Sequence, residues 1–255
     1  SITRVFRERR FDVAVLLHPT PRLATLLLLS RISLRIGTGF RPYSFLFNSR
    51  VYEHRRPSER HEADYNLSLL RPLGIKRERT EPRIYLSQEE KEWAQKKLRS
   101  WGIEGATVVA IHPGSGGSAR DWSMSSFASL GDKIARELDA SVLVTGGPGE
   151  DSLVDETASL MGRKPIVLTG ETLRRIAAVL ERCEVLVSNS TGPMHMAAAV
   201  GTPVVAIFCP IQACSPKRWG PLGEGHSIIL PPVPTCRKCT GPRCQHWDLS
   251  LIHIS

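Results

Sequence analysis

Short apolar segments alternate with amphipathic ones along most of the chain, and the alternation becomes regular after residue 105. Segments rich in Val and Ile predict buried strands: TVVAIH (107–112), SVLVTG (141–146), PIVL (165–168), EVLVS (184–188), PVVAIF (203–208) and SIIL (227–230). Helices are predicted between these strands at residues 125–138 and 172–182, which carry apolar side chains at helical spacing. This order predicts a parallel sheet with right-handed crossovers and the strand count of a complete Rossmann-like domain.

The first eighty residues repeat this pattern with fewer units, and they predict part of a second α/β domain. The segments are strands at 12–18 and 34–39, helices at 21–32 and 63–75, and a loop at 40–62. A helix is predicted over 86–102, because Ser87 and Glu90 form a capping-box pattern. The domains predicted are an incomplete N-terminal domain (1–80), a linker and helix (81–104), a C-terminal domain (105–248) and a non-native tail (249–255).

The positive charge is concentrated in the first third of the chain. Residues 1–80 hold 16 Lys and Arg against 7 Asp and Glu, whereas residues 81–255 hold 18 of each, so the whole net charge of +9 lies in that third. An anionic partner and a merely Arg-rich surface both explain this asymmetry. The region has no RRM, helix-turn-helix or aromatic stacking pattern, so nucleic acid is not expected as the partner. No apolar run approaches the ~20 residues of a transmembrane segment.

Two loops follow the strands that flank the expected switch point of the sheet, where α/β domains bind ligands. The loop HPGSGGSARDW (112–122) offers Ser115, the backbone of Gly116 and the cation of Arg120 to a phosphate. It is not a Walker A loop, because it lacks G-K-[ST]. A glycine- and serine-rich loop with no ligand remains an alternative.

The second loop, SNSTGPMH (188–195), opens a helix whose N-terminus is suited to an anion. Ser190 or Thr191 is predicted to cap the helix, and Gly192 permits close approach of a ligand. His195 falls in the first turn, where its ring is either structural or directed at that ligand. After the strand at 141–146, Glu150 is predicted either to accept hydrogen bonds from ribose hydroxyls or to interact with a helix dipole.

A cysteine cluster near the C-terminus has a spacing compatible with zinc. Its members are Cys236, Cys239, Cys244 and the nearby His246. No second C-x-x-C completes a strong motif, so the main expectation is that the protein binds no metal. Nothing in the cysteine usage indicates an oxidising compartment, and a cytoplasmic protein with reduced thiols is expected.

The motifs IHPGSGGSARDW, LVTGGPGED, VSNSTGPMHMAAAVGTPVVAIF and PKRWGPLG together resemble the ADP-heptose:lipopolysaccharide heptosyltransferases, glycosyltransferase family 9. The resemblance implies the GT-B architecture, two Rossmann-like domains with a cleft between them. It implies a Gram-negative bacterium, no cofactor, ADP-heptose as donor, and an anionic Kdo-bearing lipid A or inner-core acceptor at the inner face of the inner membrane.

The resemblance also implies roles for individual residues. Thr191, Gly192 and His195 would border the donor diphosphate and sugar, and Ser115 would lie beside the phosphates. Arg120 replaces the usual phosphate-binding Lys, and Ser190 replaces an Asp that many members carry. Glu150 would hold the ribose.

The family's general base is expected in sequence before residue 1, so the N-terminus is expected to be truncated. The tail at 249–255 fits nothing in the family and the family's C-terminal helices are absent, so the C-terminus is expected to be truncated as well. The function that follows is metal-independent, inverting transfer of heptose from ADP-heptose to the inner core. A catalytically incomplete fragment that binds a nucleotide sugar, or a member with a different donor, is the alternative.

Overall fold

A computed structural model describes residues 2–76, 78–117, 121–237 and 239. The chain separates into two compact units, Ser1–Thr80 and Glu81–Ser255. Each unit is built around a parallel sheet, and each is described by itself.

The first unit contains a small sheet in the order β1-β2-β3. Its elements are α1 (Ile2–Arg9), β1 (Val13–Val15), α2 (Pro21–Leu29), β2 (Leu34–Thr38), β3 (Ser49–Val51) and α3 (Glu62–Ser68). Ile36, Val51 and Leu69 form its buried centre. The loop predicted over 40–62 was wrong in part, because Ser49–Val51 pairs in parallel with β2. This strand was missed because three residues are too short to show a period of two.

The helix predicted over 63–75 is shorter in the structure. It ends at Ser68, and a 3-10 turn over Arg71–Leu73 follows. Gly74 closes that turn with a φ of 72°, which is the left-handed conformation that glycine adopts without strain. The helix α1 was not predicted at all.

The second unit contains a six-stranded parallel sheet among its described residues, in the order β6-β5-β4-β7-β8-β9. The strands are β4 (Val108–His112), β5 (Ser141–Thr145), β6 (Ile166–Leu168), β7 (Val185–Asn189), β8 (Val204–Ile207) and β9 (Ser227–Ile229). The helices are α4 (Gln88–Ser100), α5 (Met124–Glu137), α6 (Asp151–Leu160), α7 (Leu173–Leu180), α8 (Gly192–Val200) and α9 (Pro216–Trp219). The predicted strands and their parallel pairing are confirmed.

Helices cover both faces of this sheet, so its strands are apolar on both sides. One face packs Phe127 of α5 and Val154 of α6 into a core cluster with Ile111. The other face packs Leu98 of α4 and Ile176 of α7 into a second cluster. The predicted capping box of α4 is present, with Ser87 and Glu90 each bonding the other's backbone N–H.

The segment predicted as a linker and helix (81–104) belongs to the second unit. The helix α4 within it lies against α7. The carboxylate of Glu90 pairs with the guanidinium of Arg174 on α7, and the same guanidinium donates to the carbonyl of Tyr85 at 2.7 Å. Contacts between residues more than eighty positions apart thus make this segment part of the unit's core layer.

Candidate functional site

The site lies at the carboxyl edge of the second sheet, where β4 has β5 on one side and β7 on the other. The chain order reverses at this point, and open α/β sheets bind ligands at such a switch point. Each of the three strands ends in a buried polar residue: His112 on β4, Thr145 on β5 and Asn189 on β7. Three polar side chains at one buried edge, after largely apolar strands, distinguish this end of the sheet from its core.

The loop after β4 is held closed by Asn189, the last residue of β7. Its side-chain amide donates to the carbonyl of Pro113 at 2.7 Å, and its side-chain oxygen accepts from the backbone N–H of Trp122 at 2.9 Å. Ser115 is buried within the loop, and Gly116 is exposed with a φ of 60°. Both ends of the loop are therefore fixed to the neighbouring strand. The predicted phosphate cation, Arg120, lies outside the described residues.

The loop after β7 leads directly into α8. Thr191 occupies the N-cap position, but its side chain makes no capping hydrogen bond within the described residues. Ser190 is half-buried beside it, and Gly192 is exposed as the first residue of the helix. The first N–H groups of a helix have no intrahelical partner, so this end keeps its capacity to bind an anion. His195 lies half-buried in the first turn, as its position in the sequence predicts.

Glu150 lies at the N-cap position of α6, yet its side chain makes no capping bond to that helix. It folds back instead, and its Oε2 accepts from the N–H of Gly147 at 2.7 Å. The same Oε2 lies 3.4 Å from Nε2 of His112, and the Glu150 side chain is 19% exposed. The side chain therefore does not cap the helix directly, and both roles predicted for Glu150, ribose acceptor and partner of the helix dipole, stay predictions.

The Glu150 carboxylate occupies the space above Gly114. A Cβ built on Gly114 would lie 2.2 Å from Oε1 of Glu150, well inside van der Waals contact. Any larger residue at position 114 would displace this carboxylate. The glycine in the loop after β4 thus leaves the space that the acid following β5 occupies.

His112 is 2% exposed and lies between two polar partners. Its Nδ1 is 3.1 Å from the hydroxyl of Thr145, and its Nε2 faces Glu150. Burial lowers the pKa of His112 below its ordinary value, and the Glu150 carboxylate opposes part of that shift. Sequence reasoning assigned His112 only to the end of a strand. The signal that could have singled it out is a polar residue that closes an apolar run.

A second carboxyl group, Asp121, lies close to Glu150. Burial raises its pKa above the ordinary value, the Ser115 hydroxyl opposes this shift, and the negative charge of Glu150 adds to it. The loops after β4 and β5 therefore place two acids near each other, and a cation or a set of hydroxyl donors would relieve their repulsion.

The cysteine cluster falls only partly within the described residues. Cys236 is buried, and its backbone N–H donates to the carbonyl of Pro210 at 2.6 Å, whereas Cys239 is half-buried against the core. Cys244 and His246 lie outside the described residues. Among the residues that the structure describes, no group of three or more His, Cys, Asp or Glu side chains could hold a metal ion.

The first unit has a separate basic cavity of about 670 Å³. Four cationic side chains line it: Arg60, Arg71, Lys76 and Arg79. Arg60 and Arg71 both pair with Glu53. Burial raises the pKa of that acid, but hydrogen bonds from Ser68 and Arg60 and the charges of both arginines bring it below its ordinary value. The cations outnumber the acids around this cavity, so its field favours an anion.

Comparison with known proteins identifies the family. A sequence model of glycosyltransferase family 9 (heptosyltransferase) matches residues 1–246. Lipopolysaccharide heptosyltransferase 3 of Escherichia coli K12 is 27% identical over 215 residues, which are 82% of this chain and 61% of that protein. This chain therefore spans about three fifths of that relative's length.

Solved structures give the same fold. A family 9 glycosyl transferase from Veillonella parvula superposes with a TM-score of 0.78 at 26% identity, over 90% of this chain and 66% of that one. ADP-heptose lipopolysaccharide heptosyltransferase II of E. coli superposes with a TM-score of 0.73 at 22% identity, over 89% and 71%. The α/β fold class predicted from the sequence, GT-B, is confirmed. Among the described residues, no helix is both long and apolar enough to cross a bilayer.

Proposed function

Because this chain belongs to glycosyltransferase family 9, the heptosyltransferase family, we propose that it transfers heptose from ADP-heptose to the inner core of lipopolysaccharide. The transfer inverts the anomeric centre and needs no metal. The observation that carries the proposal is the N-terminus of α8, where the Thr191 side chain makes no capping hydrogen bond and which opens at the switch point of the sheet. The relatives described above, a lipopolysaccharide heptosyltransferase and an ADP-heptose heptosyltransferase, support the choice of donor and acceptor.

The diphosphate of the donor binds between the two loops that Asn189 holds together. The first-turn N–H groups of α8, from Gly192 onward, and the backbone of Gly116 donate to its oxygens. Thr191 and Ser115 add hydroxyls, and His195 borders the sugar. Arg120 supplies a cation with a forked geometry suited to phosphate.

The electrostatics of this arrangement favour departure of ADP. As the acceptor hydroxyl attacks the anomeric carbon, the bond to the diphosphate breaks and negative charge grows on the leaving group. The macrodipole of α8 presents roughly half a positive charge at that point, and fixed donors of this kind stabilise a transition state without reorganising. They take the place of the metal ion that other glycosyltransferases use.

The acceptor binds the basic first unit. Its excess of nine positive charges and its cavity lined by four cations suit a phosphorylated, carboxylate-bearing glycolipid. Basic surfaces are also attracted to the anionic cytoplasmic leaflet, where such a lipid is presented. We therefore place the protein at the cytoplasmic face of the inner membrane.

Calorimetric titration with ADP, UDP and GDP tests the donor assignment. We expect ADP to bind at least ten-fold tighter than the other two, with no change on addition of EDTA. Arg120→Ala should weaken ADP binding by roughly ten-fold, the size of one hydrogen bond to a charged group. The matched control is Arg136→Ala, an exposed arginine on α5 that pairs with Glu137.

Equal affinity for the three nucleotides would refute the donor assignment. Incubation with ADP-heptose and an inner-core acceptor then tests transfer, read as release of ADP. Tight ADP binding without transfer would identify the chain as a nucleotide-sugar-binding protein instead.

A further inference from the structure

We propose that His112 is a positioning residue that holds the Glu150 carboxylate above Gly114, where its Oε1 receives the ribose hydroxyls of the nucleotide. This inference rests on the proposed function, since it needs a nucleotide at the switch point. It assigns a role to a buried residue at the end of β4 that does not itself touch the ligand.

The geometry places His112 between a hydroxyl and a carboxylate. Thr145 Oγ1 lies 3.1 Å from its Nδ1, and Glu150 Oε2 lies 3.4 Å from its Nε2. The ring is 2% exposed and ends a strand that is buried along its whole length, so it has no room to turn away. A fixed ring between two fixed elements is suited to orient the one side chain that is partly exposed, Glu150.

The partners also fix which nitrogen carries the proton. An ionised carboxylate only accepts, so Nε2 of His112 must be the protonated nitrogen for the contact with Glu150 to be attractive. Nδ1 is then an acceptor for the Thr145 hydroxyl at 3.1 Å, which is nearer than that hydroxyl's other acceptor, the carbonyl of Ile111 at 3.4 Å. This neutral tautomer agrees with the lowered pKa that burial gives the ring. Thr145, His112 and Glu150 thus form a chain of donors directed toward the acid.

Glu150 needs such a restraint because its two carboxylate oxygens have different surroundings. Oε2 is held by the N–H of Gly147 and by His112, whereas Oε1 points into the space above Gly114. The neighbouring acid, Asp121, repels the carboxylate. With Oε2 fixed, Oε1 stays available at the switch point. A carboxylate there accepts from vicinal hydroxyls, which a ribose provides and a 2′-deoxyribose does not.

The test compares binding of ADP and 2′-deoxy-ADP to the full chain and its variants. His112→Gln keeps an N–H donor near the position of Nε2, whereas His112→Asn places its amide near Nδ1 and leaves Glu150 without a donor. We expect the unmodified protein to prefer ADP by at least ten-fold. His112→Asn should lose most of that preference through weaker ADP binding alone, and His112→Gln should keep it.

Two further variants keep the result interpretable. Thr145→Val removes the hydroxyl that sets the tautomer and should also reduce the preference for ADP, even if His112→Asn fails to fold. Adding Glu150→Gln to His112→Asn should cause no further loss, since both changes act through one carboxylate. The control is His18→Asn, an exposed histidine of the first unit, which should change neither affinity.

Failure of this inference can be distinguished from failure of the proposed function. If His112→Asn weakens ADP and 2′-deoxy-ADP equally, or if His112→Gln behaves like His112→Asn, the positioning role is refuted. If the unmodified protein binds ADP without preferring it over 2′-deoxy-ADP, the inference fails while the proposed function stands. If it does not bind ADP at all, both fail.

Discussion

The side-chain oxygen of Asn189 accepts a hydrogen bond from the backbone N–H of Trp122 at 2.9 Å, although the two residues are 67 positions apart. The amide of the same side chain donates to the carbonyl of Pro113. A single buried residue at the end of β7 therefore closes the loop that follows β4. The two loops of the candidate site form one structure through this contact.

Asn189→Ala should destabilise the second unit and weaken ADP binding together. The change leaves the N–H of Trp122 and the carbonyl of Pro113 buried without partners, and each such loss costs about 1–3 kcal/mol. We expect the free energy of unfolding in urea to fall by about 2 kcal/mol or more. Calorimetry should show weaker ADP binding under conditions where the variant remains folded.

Asn48→Ala is the matched control. Asn48 also makes two bridging bonds, from the N–H of Arg35 and to the carbonyl of Ser33, but it is exposed in the first unit. Water replaces its lost bonds, so the change in stability should be smaller and ADP binding should not change. Equal effects of the two substitutions would contradict a special role for Asn189.

Gly114→Ala should lower ADP affinity by roughly ten-fold, the worth of one hydrogen bond to a carboxylate. The new Cβ would clash with Oε1 of Glu150 and displace it, whereas the backbone of Gly114 does not have a positive φ and accepts alanine. The measurement is calorimetric titration. In a Glu150→Gln background the same substitution should have little further effect, and a full additional loss there would show that it acts elsewhere.

Acidification should destabilise the second unit through His112. Burial lowers the pKa of this residue in the folded state, so the unfolded chain takes up the proton more readily. The stability that neutral His112 contributes is present above its ordinary pKa of about 6.5 and is lost as the pH falls through the lower folded value. Thermal unfolding from pH 8 to pH 5 should show this decline.

His112→Gln has no titrating group and should show a flatter profile over the same range. Burial raises the pKa of Asp121, so protonation of this acid favours the folded state and opposes the decline in stability caused by His112. Identical profiles of thermal stability against pH for the unmodified protein and His112→Gln would rule out His112 as the source of the decline.

A separate decline in the stability of the second unit is expected in stronger acid, from the contact between α4 and α7. Hydrogen bonds from Arg174 and from the backbone N–H of Ser87 lower the pKa of Glu90 from 4.5 to about 2. The stability from this carboxylate is present above pH 4.5 and is lost as the pH falls toward 2. Glu90→Gln should therefore melt lower at pH 6 than the unmodified protein, with the difference shrinking by pH 3. Glu89→Gln, an exposed neighbour, should not reproduce this behaviour.

The local sequence was sufficient to predict those elements whose patterns lie within a few neighbouring residues. The helix α4 begins where Ser87 and Glu90 form a capping box, and both bonds are made within four residues. The strands of the second sheet are largely apolar because helices cover both faces, so runs of Val and Ile identified them without further context. Motifs in the two switch-point loops likewise identified the family. These features depend on neighbours in the chain, which the sequence displays directly.

Only the tertiary structure decided how the site is held together. His112 was an ordinary strand end in the sequence, and its partner Thr145 is 33 positions away. The space beside Gly114 is filled by the Glu150 side chain, which belongs to the loop after a different strand. Likewise, β3 exists because it pairs with β2, although its three residues carry no pattern of their own. Hydrogen bonds and steric contacts between distant segments follow from the packing of parallel strands, and no local pattern specifies them.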